Sequence, residues 1–254
     1  MWTVKISECP KFLVRMLNVD FASRDEILFP MSQFKSLLVS IPNQSDIYVA
    51  FPNIHHPLVV PTLAMMYDIQ LNEYADVTFL AIPIQGSKEN PSSGLIKTKL
   101  DPFPMDLYDS VAFGGTFDHL HNGHKLLITA SALLCVRKLI VGVTRAPKNK
   151  MFSEYMEPFY RRAAAVTEMV YKINQNVIIC MEALDDVAGP VGRQGELDLL
   201  VLSEETKSGG ESVRKLREER GLHPISFVVI PVIGFNNGDK LSSTMIRSKI
   251  AKKE

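Results

Sequence analysis

The chain has 254 residues, enough for one large or two modest domains around a sizeable buried core. Its 28 lysines and arginines balance 28 aspartates and glutamates, which excludes a global field that would recruit nucleic acid or an anionic membrane. Three well-separated cysteines, Cys9, Cys135 and Cys180, form no CxxC pair, so a disulfide framework and a structural zinc are set aside and a reducing, cytoplasmic setting is expected.

The N-terminal stretch MWTVKISECPKFLVRML has basic residues among its apolar ones and no small-residue cleavage site, so a secretory signal is not expected. No apolar run approaches the roughly 20 residues of a membrane-spanning helix, so no integral span is expected either. DIYVAF (46–51) and DVTFLAIPI (76–84) read as buried strands from their β-branched and aromatic content. VPTLAMMYDIQ (60–70) between them reads as a helix with Pro61 in its first turn. His55 and His56 in NIHHP read as a solvated loop, and Met65 and Met66 as core filler. No chemistry is assigned to this first region.

GSKENPSSGLIKTKLDPFPMD (86–106) is rich in Gly, Ser, Pro and charge and reads as a linker or long surface loop. It divides a smaller α/β region, 1–105, from a second domain, 106–254. The first is expected to fold separately and add no catalytic group, its loss affecting solubility if it covers an apolar face of the second.

Beyond the linker, strands alternate with helices. VAF (111–113), KLIVGVT (138–144), VIICMEAL (177–184), LDLLVLS (197–203) and ISFVVIPVI (225–233) read as strands. NGHKLLITASALLCV (122–136), EPFYRRAAAVTEMVYKI (157–173), ESVRKLREER (211–220) and SSTMIRSKIAKK (242–253), the last with a serine N-cap, read as helices. Apolar strands separated by helices mean a doubly wound, Rossmann-like parallel sheet covered on both faces, with its ligand crevice beyond the strand C-termini.

VAFGGTFDHLHNGHK (111–125) carries the strongest chemical signal. Gly114 and Gly115 end a strand and let a ligand approach the backbone, and Thr116 offers a hydroxyl. HNGH (121–124) opens a helix, where free amides and the dipole favour an anion, so His121 and His124 flank a phosphate site able to stabilise transition-state charge. In KLSSTMIR (240–247) two serines and a threonine begin another helix with Arg247 one turn in, again suited to phosphate. TRAPKNK (144–150) sets Lys148 and Lys150 on a loop at the same edge. Several phosphate binders on one rim, without a carboxylate dyad, point to phosphoryl or nucleotidyl transfer. Of the remaining polar residues, His119 is expected to bond backbone, Asp118 to orient an amide, Asp185 and Asp186 to shape a loop, and Arg161 and Arg162 to lie on a solvated helix face.

GGTFDHLHNGH together with SSTMIR resembles the paired signature of the HxGH nucleotidyltransferases. VGVT with the KNK lysines, DDVAGPVG (185–192) and LVLSEETKSGG (200–210) extend the resemblance to phosphopantetheine adenylyltransferases of eukaryotic and archaeal type, over residues 110–250. The resemblance implies transfer of AMP from ATP to 4′-phosphopantetheine, giving dephospho-coenzyme A and pyrophosphate, with Mg2+ carried by ATP and no covalent intermediate. It implies His124, Lys150 and Thr116 as catalytic residues, with Thr116, Lys148 and Lys150 at the acceptor. ATP would be held by Gly114, Gly115, Phe117 and His121, by Ser203, Glu204, Glu205 and Thr206, and by Ser242, Ser243, Thr244 and Arg247. Bacterial relatives place an arginine in the segment matching SEETK; here Lys207 or Arg193 is the expected substitute. Sister chemistry, cytidylyl or nicotinamide-mononucleotide transfer, and a non-catalytic nucleotide-binding relative are the alternatives. No G-x-x-x-x-G-K-[ST] loop occurs and the sequence given stops at Glu254, so a single activity is expected. Separately, a monomer is expected.

Overall fold

A computed structural model describes residues 16–86, 96–147, 150–185, 189–233 and 242–252. The first region contains β1 (Met16–Asn18), β2 (Asp20–Phe21), β3 (Glu26–Phe29), α1 (Met31–Ser40), β4 (Ser45–Phe51), α2 (Val59–Glu73), β5 (Phe79–Gln85) and β6 (Ile96–Lys99). β1, β4 and β5 form a parallel sheet in that order, and β2, β3 and β6 an antiparallel one. The β-α-β unit expected around residues 60–70 is β4-α2-β5. Its helix starts where His56 Nδ1 accepts from the Leu58 amide, at 3.2 Å.

The stretch 86–106 is not only a linker. Residues 87–95 lie outside the described residues, but Ile96–Lys99 pairs with Phe29–Glu26 of β3, and buried Phe103 donates its amide to the Pro57 carbonyl. A four-residue strand of IKTK is too short for its alternation to stand out in sequence, and only the partner strand, about 70 residues earlier, makes it one.

The second region contains β7 (Tyr108–Gly115), α3 (Asn122–Leu134), β8 (Cys135–Thr144), α4 (Phe159–Ile173), β9 (Ile178–Leu184), β10 (Leu199–Leu202), α5 (Lys207–Glu219), β11 (Ser226–Val229) and α6 (Ser243–Ala251). Its five strands are all parallel, in the order β11-β10-β7-β8-β9. Alternate residues of β7 serve the two faces. Val111 and Phe113 pack with Leu126 and Ala130 of α3 and Val166 and Val170 of α4, while Ala112 packs with Val213 of α5. Helices thus cover both faces, as expected for a doubly wound sheet. The strand order reverses between β7 and β10, which opens a crevice at their C-terminal ends.

The apolar core does not divide at residue 105. Leu63, Met66, Tyr67 and Phe79 belong to the same buried cluster as Leu126, Leu133 and Val166. α3 lies between α2 and the sheet, and nine successive residues from Leu126 to Leu134 are buried. Across the same boundary Lys172 Nζ meets the Asp46 carboxylate at 3.1 Å. Among the described residues no helix is long and apolar enough to cross a membrane.

Candidate active site

The loop that leaves β7 is shaped by residues buried beneath it. Gly114 faces Gly142 on β8, and a Cβ there would lie 3.3 Å from the Gly142 carbonyl oxygen, so the strand end admits no side chain without displacement. Phe117 and His119 adopt positive φ of 53° and 45°, uncommon for residues with a side chain. The Phe117 ring is fully buried, edge-on to Phe113 and tilted against His124 at 5.3 Å, so it supports the site from below. His119 is tied down as expected: its amide donates to Glu157 Oε2 at 2.7 Å and its Nε2 lies 2.9 Å from the Tyr155 carbonyl. Asp118 Oδ1 accepts from the Glu157 amide at 2.8 Å, also as expected.

The loop delivers His121 to the N-cap of α3 and His124 to its first turn. The two rings stack at 3.8 Å with 21° between their planes. His124 Nδ1 is shielded from solvent and has no hydrogen-bond partner among the described residues. Burial, reinforced by His121, holds the His124 imidazole well below its ordinary value of 6.5, so it is neutral at physiological pH. The unpaired amides of the α3 first turn stand beside these rings.

The start of α6 reaches the same crevice. Ser242 is its N-cap and accepts from the Met245 amide at 3.3 Å, as the sequence suggests. Ser243 Oγ donates to the Asp118 carbonyl at 2.8 Å, which joins α6 to the β7 loop. Arg247 borders the crevice with its guanidinium already engaged by protein groups. It is fully buried, and it pairs with the carboxylate of Asp118, itself 0% exposed. Nε donates to the Met151 carbonyl at 3.0 Å and another guanidinium nitrogen to Thr244 Oγ1 at 3.1 Å. A guanidinium one turn into a helix reads as an anion ligand in sequence; its carboxylate partner, 129 residues away, is visible only in the fold.

Arg162 corrects another expectation. Arg161 is exposed, but Arg162 is 2% exposed and donates to carbonyls from four residues: Glu157 (2.9 Å), Thr116 (2.6 Å), Thr144 (2.9 Å) and Arg145 (3.2 Å). Burial lowers its pKa while Asp118 and Glu157 oppose that shift. Its planar fork of donors fastens the ends of β7 and β8 to the start of α4.

A cavity of about 520 Å³ collects most of the residues singled out in sequence. Gly114, Gly115, Thr116, Phe117, His121, His124, Lys150, Ser203, Glu204, Glu205, Thr206, Ser242, Ser243, Thr244 and Arg247 all line it. Lys148 lies outside the described residues. Ser203 and Thr206 close their own turn: Thr206 Oγ1 accepts from the Ser203 amide at 3.0 Å. Gly123, Leu127, Thr144 and Ile230–Ile233 complete its described wall; the last four are the chain just past β11, where ISFVVIPVI reads in sequence as one continuous strand.

A second cavity, of about 740 Å³, lies against the other face of the sheet between Leu184, Pro190, Val191, Leu200, Leu202 and Val213. Gly210 keeps α5 close to it, since a Cβ there would lie 2.6 Å from Leu202 Cδ1. Five residues line both cavities: Gly114, Gly115, Thr144, Glu205 and Thr206. Lys207 and Arg193 line neither; Lys207 pairs with Glu204 at 3.6 Å and Arg193 Nε donates to the Gly189 carbonyl. The loop carrying Pro190 and Val191 is held by buried Arg217, which donates to the carbonyls of Val191, Gln194 and Gly195.

A family model described as cytidylyltransferase-like matches residues 112–249. The chain belongs to that family. A phosphopantetheine adenylyltransferase of Saccharomyces cerevisiae is 38% identical over 152 residues, 58% of this chain and 50% of its own length. Proteins of the same name from Pyrococcus abyssi and Methanopyrus kandleri are 36% and 32% identical over 57% and 58% of this chain, and the match covers 92% and 94% of their own length. The chain therefore spans about half the length of its yeast relative but almost the whole of the archaeal ones, and these matches take up little more than half of the chain itself.

Proposed function

We propose that the protein transfers AMP from ATP to 4′-phosphopantetheine, forming dephospho-coenzyme A and pyrophosphate. The observation that carries this reading is the meeting of two unlike cavities at a shared wall. One is bordered by two helix starts, imidazoles and hydroxyls, which suit a triphosphate. The other has a more apolar lining, with Ile140, Leu184, Val191, Leu200, Leu202 and Val213, that suits the pantetheine arm. The family names borne by the archaeal and yeast relatives support the same substrates.

In this reading an oxygen of the acceptor phosphate attacks the α-phosphorus of ATP. The bond from that phosphorus to the bridging oxygen of the β-phosphate breaks, and pyrophosphate leaves with the electron pair. Positioning and charge stabilisation do the work, with no protein nucleophile. Thr116 holds the acceptor phosphate, His124 donates toward the pentavalent centre and His121 binds the triphosphate beside it. Lys150 neutralises charge from the open side, with Lys148 the rival for that role. The α6 start, with Ser242, Ser243 and Thr244, takes the β- and γ-phosphates, and Arg247 keeps that start in place. The hydroxyls, amides and imidazoles of the cavity suit phosphate oxygens, so Mg2+ would be held by the phosphates of ATP and would supply charge neutralisation there. In this reading the enzyme works as a monomer in the cytoplasm.

The test is a substrate panel followed by pyrophosphate release. ATP and CTP are each offered with 4′-phosphopantetheine, nicotinamide mononucleotide and glycerol phosphate. Turnover confined to ATP with 4′-phosphopantetheine is expected. Preference for CTP or for either other acceptor would assign the site to sister chemistry.

A further inference from the structure

The first turn of α3 has two working sides. His121 and His124 line the nucleotide cavity. Asn122 and Lys125, one residue further along in each case, face the first region instead. Asn122 is buried and its Nδ2 donates to Gln70 Oε1 on α2 at 2.7 Å, with the Tyr67 carbonyl at 3.5 Å. Gln70 is buried too, and its own Nε2 is fixed by the Tyr74 carbonyl at 3.2 Å. Lys125 Nζ donates to the Phe79 carbonyl of β5 at 2.6 Å. The two histidines are thus spaced by the same turn whose other side is fastened at two points to α2 and β5.

We propose that the first region is a positioning platform for the nucleotide-binding turn, with Gln70 its principal positioning residue acting on His121 and His124 through Asn122. A side chain in an apolar interface could serve packing alone. A buried, directional amide–amide bond does more: it fixes the rotation of the α3 start about its axis, and an error there moves both imidazoles together. Lys125 and the Phe79 carbonyl fix the same turn one step along. Gln70 itself touches no substrate in this account, so it is a positioning and not a catalytic residue. The proposal rests on the adenylyl-transfer reading for its effect on rate, but not for its effect on the histidines.

The experiment uses the full chain with Gln70→Met, which removes the acceptor, and with it the bond to the Tyr74 carbonyl, and keeps the volume. Ring signals of the histidines are followed by long-range nitrogen–proton NMR, without and with ATP, and kcat/KM for ATP is measured alongside Asn122→Ala and the double variant. The expected result is displaced His121 and His124 signals with those of His55 and His223 unmoved. With it comes a loss of about tenfold or more in kcat/KM for ATP, and no further loss when Gln70→Met is added to Asn122→Ala. Unmoved His121 and His124 signals, or losses that multiply in the double variant, would overturn the proposal. If Gln70→Met does not fold, Lys125→Met, which frees only the Phe79 carbonyl, is judged by the same signals. If the wild-type chain shows no adenylyl transfer, the functional reading fails, while the histidine signals still decide this one.

Discussion

Asp118 and Arg247 form an ion pair from which both side chains are withdrawn from water, at 0% and 1% exposure. It joins the loop after β7 to α6, the two segments that carry the phosphate-binding signatures. Breaking a buried pair strands a charge and costs about 3–5 kcal/mol, whereas removing both charges is far milder. Arg247→Met should therefore destabilise the fold strongly in denaturant melts, and the double variant Asp118→Asn/Arg247→Met should recover much of that loss. If Arg247 acted mainly as a phosphate ligand, the single variant would melt normally and fail only in ATP binding.

Arg162 gives a second expectation. Four residues' carbonyls around the site depend on one guanidinium, and a lysine cannot reproduce its fork. Arg162→Lys should lose about 1–2 kcal/mol, since at least one part-buried carbonyl is left without its donor. It should also raise KM for 4′-phosphopantetheine, because the Thr116 backbone loses its anchor. Urea melts and acceptor saturation curves check both, and a variant indistinguishable from wild type in the two would mean the clamp is redundant.

His124 sits lower on the pH scale in the folded chain than in the unfolded one, because burial and His121 oppose its protonation. As pH falls through the ordinary value of 6.5, the unfolded state takes a proton that the folded state refuses. Its neutral burial is therefore without penalty above that value. Below it the fold loses stability, by up to about 1.4 kcal/mol per pH unit, until the depressed folded value is reached. Melts between pH 7.5 and 5.5, reference conditions set by the unfolded histidine at about 6.5, should show a shallower decline for His124→Ala than for wild type. The same variant should lower kcat by at least about 10²-fold with the fold intact. ATP binding should raise the His124 pKa and take up protons, measurable as a buffer-dependent heat.

Much of this site was legible before any fold was known. HNGH, SSTMIR and the glycine pair announce their chemistry through residue type and local spacing, and α3 and the inner strands through apolar periodicity. Arg162 was not legible, because an arginine pair at a helix start looks solvated and its carbonyl partners carry no sequence mark. Neither was the Asp118–Arg247 pair, whose members meet only when α6 returns to β7. β6 was hidden by brevity. The boundary near residue 105 was a true compositional change, yet composition does not reveal that α2 covers the outer side of α3.

That cover sets the outcome of a truncation. A chain of residues 104–254 holds every residue assigned to chemistry, and on sequence grounds it would act alone. The structure shows α3 buried on both sides, with Leu63, Met66 and Tyr67 in the same cluster as Leu126. Removing residues 1–103 exposes that apolar side and releases Asn122 and Lys125 from Gln70 and Phe79. The truncated chain should lose a cooperative melt or associate through the uncovered helix. A monomeric, cooperatively folded and active fragment would show that the shared core is dispensable.

The central claim is attack by the acceptor phosphate on the α-phosphorus at the junction of the two cavities, and isotope-labelled acceptor tests it most directly. With 4′-phosphopantetheine carrying oxygen-18 throughout its phosphate, mass spectrometry of the products reports which bonds formed. Attack by the acceptor on the α-phosphorus retains all the label in dephospho-coenzyme A, including the new bridging oxygen, and leaves pyrophosphate unlabelled. Label in pyrophosphate, or AMP and pyrophosphate formed without dephospho-coenzyme A, would contradict the account.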